Sequence, residues 1–155
     1  MVISMEYKLN LKKIREINSM SQKDFADILG IDRTVYNKYE NEYELIPIKH
    51  LISLSNFFNF SLDYVLGIKD LNDNNLKYNR ETDLKMIGAR IQTWRKSNKL
   101  TQEKLAKELN TNKSVICNYE KGRNLIATPF LYQICKKYHV SADYLLGRID
   151  KDPHK

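Results

Sequence analysis

The chain has 155 residues, 42% hydrophobic and 29% charged, with only 5 Gly and 3 Pro, which excludes collagen-like and low-complexity polymers and leaves one ordinary domain or two very small ones. Lys and Arg outnumber Asp and Glu by 26 to 19, a net charge of +7, which points to a polyanionic partner. No apolar run approaches the roughly 20 residues of a spanning helix, Met1–Met5 meets Glu6 without a signal-peptide pattern, and Cys117 and Cys135 have no companion Cys or His at zinc spacing, so the expectation is a soluble cytoplasmic protein with no cofactor, metal or membrane partner.

In chain order, Leu11, Ile14 and Ile17 recur at helical spacing. Ser21 is an N-cap for a second helix carrying Phe25, Ala26 and Leu29, and Gly30 can take the left-handed conformation that ends it. Asp32 then caps a third helix running to Glu40. Ile52, Leu54, Phe57, Phe58 and Phe60 form an apolar stretch, mostly core with one or two side chains facing out, and Ser61 caps a final short turn. The pattern then begins again. Ile87, Ile91 and Trp94 mark a helix; Thr101 caps the next, with Leu105, Ala106 and Leu109 inside and Asn110 at its end. Asn112 caps a third helix to Glu120, Pro129 suits the first turn of a fourth with Leu131, Ile134 and Cys135 inward, and Ser141 caps the last turn. Nothing alternates with period two for long enough to make a strand, so the fold class is all-α.

Sliding the sequence by 80 residues aligns 11–67 with 91–147 without a gap, and 16 of those 57 positions are identical. A period this long is not a solenoid unit. It predicts two copies of one small domain, residues 1–67 and 82–149, a polar Asn-rich linker over 68–81 and a tail over 150–155. Charge is divided unequally between them: residues 1–67 carry a net −1 and residues 85–155 a net +9, an excess that an anionic partner explains better than ordinary solvation.

Two short helices joined by a three- to four-residue turn, with a small Ala at their crossing, form a helix-turn-helix. The runs Ser21–Glu40 and Thr101–Arg123, each followed by Ser-x-Asp-Tyr-x-Leu-Gly at Ser61–Gly67 and Ser141–Gly147, resemble the phage repressor/Cro-type (XRE) family. The resemblance covers about 130 residues and occurs twice in register. It implies two tandem lambda-repressor-like domains of five helices each. One departure is Glu42, where the family usually has the Gly seen at Gly122; another is a longer stretch before the fourth helix.

The resemblance places each third helix in the DNA major groove, with helix two across the backbone. In the second copy the groove-facing residues are Lys113, Ser114, Cys117 and Asn118. Lys113 suits guanine O6/N7 and Asn118 adenine N6/N7. Gln102 is placed for a phosphate, with Lys121 and Arg123 as further backbone contacts. The equivalents in the first copy are Arg33, Thr34, Asn37 and Lys38, with Gln22 on the backbone. Asp24, Asp27, Glu42 and Glu44 surround that surface and repel phosphate, so the second copy is expected to dominate. Val35 and Val115 suit either a thymine methyl or packing against helix one. In the family an Arg on helix one pairs with the Glu ending helix three, which marks Arg15–Glu40 and Arg95–Glu120 as structural pairs. Cys117 has no cationic neighbour or resolving Cys to make it a redox sensor, and His50, His139 and His154 lack ligand spacing.

No Gly-rich phosphate loop, nucleophile elbow or paired-His motif is present, so no catalytic residue is expected. The expected function is a transcriptional regulator, repressor-like, reading double-stranded DNA at a bipartite operator or a single half-site. Extended, the roughly 17 residues between the copies reach about 55 Å, enough to straddle half-sites about 34 Å apart. The alternative is a protein-interaction module, in which the acidic first copy mediates homodimerisation or binds an antitoxin- or anti-repressor-type partner instead of DNA.

Overall fold

The computed structural model of the protein describes residues 9–70, 72 and 76–154. Among the described residues there are ten helices and no strand. The first five are α1 (Leu11–Ile17), α2 (Gln22–Leu29), α3 (Arg33–Glu40), α4 (Ile48–Phe58) and α5 (Leu62–Val65). They recur as α6 (Leu84–Ser97), α7 (Gln102–Glu108), α8 (Lys113–Glu120), α9 (Thr128–Tyr138) and α10 (Ala142–Leu145).

Local chemistry explains most of these boundaries. Ser21 and Asp24 form a reciprocal capping box at the start of α2: the Ser21 hydroxyl accepts from the Asp24 N–H at 3.1 Å, and the Asp24 carboxylate accepts from the Ser21 N–H at 2.8 Å. Thr101 caps α7 through the Lys104 N–H, and Asn112 caps α8 through the Val115 N–H. Asp32 occupies the matching position before α3, but its side chain makes no cap bond. The helix-two ends turn through left-handed residues, Gly30 at φ 67° and Asn110 at φ 56°, as their residue types allow. Ile17 departs from the expected face and is 64% exposed. Six positions beyond Leu11, it has turned about 90° away from the middle of the stripe that Leu11 and Ile14 bury.

Each copy closes around its own apolar centre. In the first, the Phe25 ring meets Tyr36 edge-on at 5.6 Å and Phe58 at 5.4 Å, joining α2 to α3 and α4. In the second, Leu105, Ile116 and Leu131 are buried at the corresponding junction, and Trp94 meets Tyr138 edge-on at 5.1 Å. Burying a side chain of this size stabilises by about 2–3 kcal/mol. Two ion pairs tie helix one to helix three. Arg15 donates to Glu40 at 2.9 and 2.7 Å, and Arg95 to Glu120 at 2.6 and 2.9 Å. The same guanidinium groups also donate to the Met20 and Leu100 carbonyls ahead of helix two. Both pairs are therefore architectural, because their donors are spent inside the domain.

The two copies pack directly on each other through α5 and α10. Ser61 Oγ donates to Asp143 at 2.7 Å and Ser141 Oγ to Asp63 at 2.6 Å. The Leu62 and Ala142 N–H groups donate to the same two carboxylates at 2.9 and 2.7 Å. Arg148 crosses the seam: it donates to Asp143 at 2.7 Å, to the Phe60 carbonyl at 3.0 Å and to Asn56 at 3.2 Å, and it lies 4.5 Å from the centre of the Tyr78 ring. The described part of the connecting segment runs back over both copies. Asn79 donates to the Arg148 carbonyl, Arg80 to the Asn56 carbonyl, and the Ser61 N–H to Asn72. The described residues between the copies are thus fastened down, and the separation a free tether would reach is not the one the two copies hold.

Candidate nucleic-acid interface

The candidate surface is built by α2 with α3 and by α7 with α8. In the first copy Arg33, Thr34 and Lys38 are exposed, and Gln22 and Asn37 are half-buried. Gln22 Oε1 accepts from Asn37 Nδ2 at 3.1 Å and from Arg33 Nη1 at 3.5 Å. Two of the expected groove residues, Arg33 and Asn37, therefore converge on the amide of Gln22, the expected backbone contact. Lys38 pairs with Glu44 at 3.5 Å, and Lys23 pairs with Asp27 at 2.9 Å. Acidic neighbours thus draw off Lys23 of α2 and Lys38 of α3 as partners.

In the second copy Lys113, Ser114, Lys121 and Arg123 are exposed, and Cys117 and Asn118 are half-buried. Lys113 stands 3.7 Å from Glu103, an exposed pair of a kind worth at most about 1 kcal/mol and readily exchanged for phosphate or a base. Ser114 Oγ donates to Asn112 at 2.5 Å, and Arg123 donates to Asn118 at 3.1 Å. Arg123 and Asn118 are thereby brought together at the end of α8, a contact that sequence spacing alone does not indicate. Gln102 serves the ion pair of its domain as its counterpart Gln22 serves Glu40. Its amide donates to the buried Glu120 carboxylate at 3.0 Å, which adds a donor to the ion pair and turns that NH2 inward. Val35 and Val115 are half-buried beneath the exposed residues of their helices.

Asn112, which meets Ser114, and Glu44, which meets Lys38, were legible in the sequence as a helix cap and an acidic neighbour, whereas Glu103 beside Lys113 was passed over. Glu103 lies ten residues before Lys113 on a different helix, so only the crossing of α7 and α8 makes them neighbours.

Comparison with known proteins supplies the family. One model, described as Helix-turn-helix, matches residues 11–65, and a second, described as Helix-turn-helix domain, matches residues 88–151. The chain belongs to the helix-turn-helix family, with two XRE-type domains in tandem. It is 36% identical over 84 residues to the HTH-type transcriptional regulator ImmR of Bacillus subtilis, across 53% of this chain and 62% of that protein. It is 44% identical over 57 residues to the uncharacterized HTH-type transcriptional regulator YqaE of the same organism, across 37% and 49% of the two chains. A transcriptional regulator from the ATPase CF(0) region of Rhodospirillum rubrum is 35% identical over 68 residues, 43% of this chain and 63% of that one. The matched regions thus span about half to three-fifths of the curated relatives' own lengths. No solved structure matches the chain. No helix among the described residues is long and apolar enough to cross a membrane.

Proposed function

We propose that this helix-turn-helix protein is a sequence-specific transcriptional regulator, repressor-like, that reads double-stranded DNA with α3 and α8 in the major groove. The supporting observation is that the first turns of both third helices present exposed polar donors, Arg33 and Thr34 in one copy and Lys113 and Ser114 in the other, while their opposite faces are locked into the domain by Tyr36 and Ile116. Such a helix is rigidly held and has its readers outward, as direct readout requires. The C-terminal copy supplies the larger share of affinity, since its half of the chain carries the +9 charge and its Lys113, Lys121 and Arg123 stand in solvent. In the N-terminal copy the acidic neighbours of α3 oppose phosphate approach.

The test is selection of bound duplexes from a random pool with the full chain at physiological salt, followed by affinity measurements on the selected site. Lys113→Ala is expected to weaken binding about tenfold or more, in line with about 1–3 kcal/mol for a lost base contact, and Arg33→Ala by less. Equal losses would remove the C-terminal dominance. A second reading has its own observation: of the five large exposed hydrophobic residues among the described residues, Ile17, Tyr43, Leu45 and Phe57 belong to the near-neutral first copy and only Leu84 to the second. If the pool yields no enriched sequence, a protein partner on that copy becomes the leading function.

A further inference from the structure

The contacts between the two copies have the form that a two-fold axis imposes. In an interface between identical subunits related by such an axis, residue i meets residue j and residue j meets residue i. Here 61, 62 and 63 correspond to 141, 142 and 143 under the 80-residue repeat. Ser61 and Leu62 bind Asp143, and Ser141 and Ala142 bind Asp63. All six residues are buried. A head-to-tail arrangement would instead match a patch on one copy with an unrelated patch on the other. Beside the readers the lining segments are again paired, although the hydrogen bond between them runs one way. The segments that leave the two third helices, Leu45–Lys49 and Leu125–Pro129, are again 80 residues apart and line one groove together. Thr128 Oγ1 donates across it to the Ile46 carbonyl at 2.5 Å. Only five residues, 41–45, separate the end of α3 from Ile46 at this groove, and the same holds for 121–125 after α8. The C-terminal ends of both reading helices therefore approach the pseudo-axis from opposite sides.

Resting on the DNA-reading function above, we propose that the chain is a covalent pseudo-dimer that binds, as a single chain, an operator of two inverted and unlike half-sites at one fixed spacing. Inversion follows from the pseudo-two-fold. The unlikeness follows from the readers, Arg33, Thr34, Asn37 and Lys38 on one side and Lys113, Ser114, Cys117 and Asn118 on the other. The fixed spacing follows from the buried seam and from Arg148, which ties Asp143 to Asn56 and the Phe60 carbonyl in the other copy. Single-chain binding follows because the α5 and α10 faces that would pair two chains already cover each other.

The experiment uses the full chain. Duplexes selected from a random pool should contain two different half-site sequences in inverted orientation, and native mass spectrometry should find one chain per duplex. Inserting five base pairs between the half-sites, about half a helical turn, should lower affinity at least tenfold. Replacing the first copy's readers by the second's (Arg33→Lys, Thr34→Ser, Asn37→Cys, Lys38→Asn) should convert the selected operator into a symmetric inverted repeat. Direct repeats, tolerance of the insertion, or two chains on a symmetric site would each overturn the pseudo-dimer while leaving DNA reading intact. Enrichment of no sequence at all would overturn the DNA-reading function, and the pseudo-dimer operator with it.

Discussion

At the scale of single residues, the two copies solve the same backbone problem with different chemistry. The turn after the third helix needs a left-handed residue, and Gly122 takes it at φ 72° while Glu42 takes it at φ 64°. A side chain in that region costs about 1–2 kcal/mol, partly offset by the greater chain entropy glycine loses on folding. Glu42→Gly is therefore expected to stabilise the protein by about 1 kcal/mol, read as a higher urea midpoint at unchanged m-value. It also removes an acidic charge beside α3, so phosphate affinity should rise. An unchanged or lower midpoint would show that Glu42 makes a compensating contact. The candidate surface shows a similar contrast. Gln22 and Gln102 both hydrogen-bond the ion-pair glutamate of their own domain, but Gln22 Oε1 also gathers Asn37 and Arg33, where the second copy has Cys117 and Lys113.

At the scale of elements, the second domain depends on how closely α6 crosses α8. A Cβ built on Gly88 would lie 2.4 Å from the Glu120 carbonyl oxygen and 2.6 Å from that of Tyr119, and neither backbone atom can swing aside. The glycine thus lets α6 approach α8 and brings Arg95 within reach of Glu120. Gly88→Ala gains helix propensity worth up to about 1 kcal/mol but must push the helices apart. The expected net result is destabilisation of about 2 kcal/mol, measured by thermal unfolding. DNA affinity should fall as well, because α8 is displaced. A stabilised variant would mean that the crossing is looser than this geometry shows.

At the scale of the whole molecule, the seam carries two carboxylates but gives them unequal support. Arg148 binds Asp143, whereas the position matching Arg148 in the first copy is Ile68. Burial, and then the neighbouring Asp143 charge, push the Asp63 carboxyl up to about 7, against the pull of its bonds from Ser141 and Ala142. An acid with a folded-state pKa above its unfolded value near 4 favours the folded state when protonated. Its contribution is complete below about pH 4 and is lost as pH rises through 7. Between pH 6 and 8 the protein should lose roughly 1 kcal/mol of stability from this group. Ordinary surface carboxylates do not titrate in that window. Asp63→Asn, which mimics the protonated acid, should flatten the dependence and match or exceed the parent at pH 8 in urea unfolding. An equal slope in the variant would assign the pH dependence elsewhere.

Much of this was legible in the chain itself, because it depends on neighbours close in sequence. Helical spacing, the caps at Ser21 and Thr101, and the left-handed ends at Gly30 and Asn110 are local, and the 80-residue repeat needs only the sequence. The exposure of Arg33 and Lys113 was equally visible, as they are first-turn residues of helices whose buried faces are apolar. Other features needed the tertiary structure, because they pair groups remote along the chain. Asp63 meets Ser141 across 78 residues, and Arg148 reaches Asn56 across 92. Nothing in the Asn-rich connecting segment reveals that it folds back over both copies, since a polar sequence suits a free tether and a packed strap alike. The residues of each copy set its own helices and their exposed faces. Burial of a reciprocal Ser–Asp seam, which only the folded chain can create, decided how the two copies face each other.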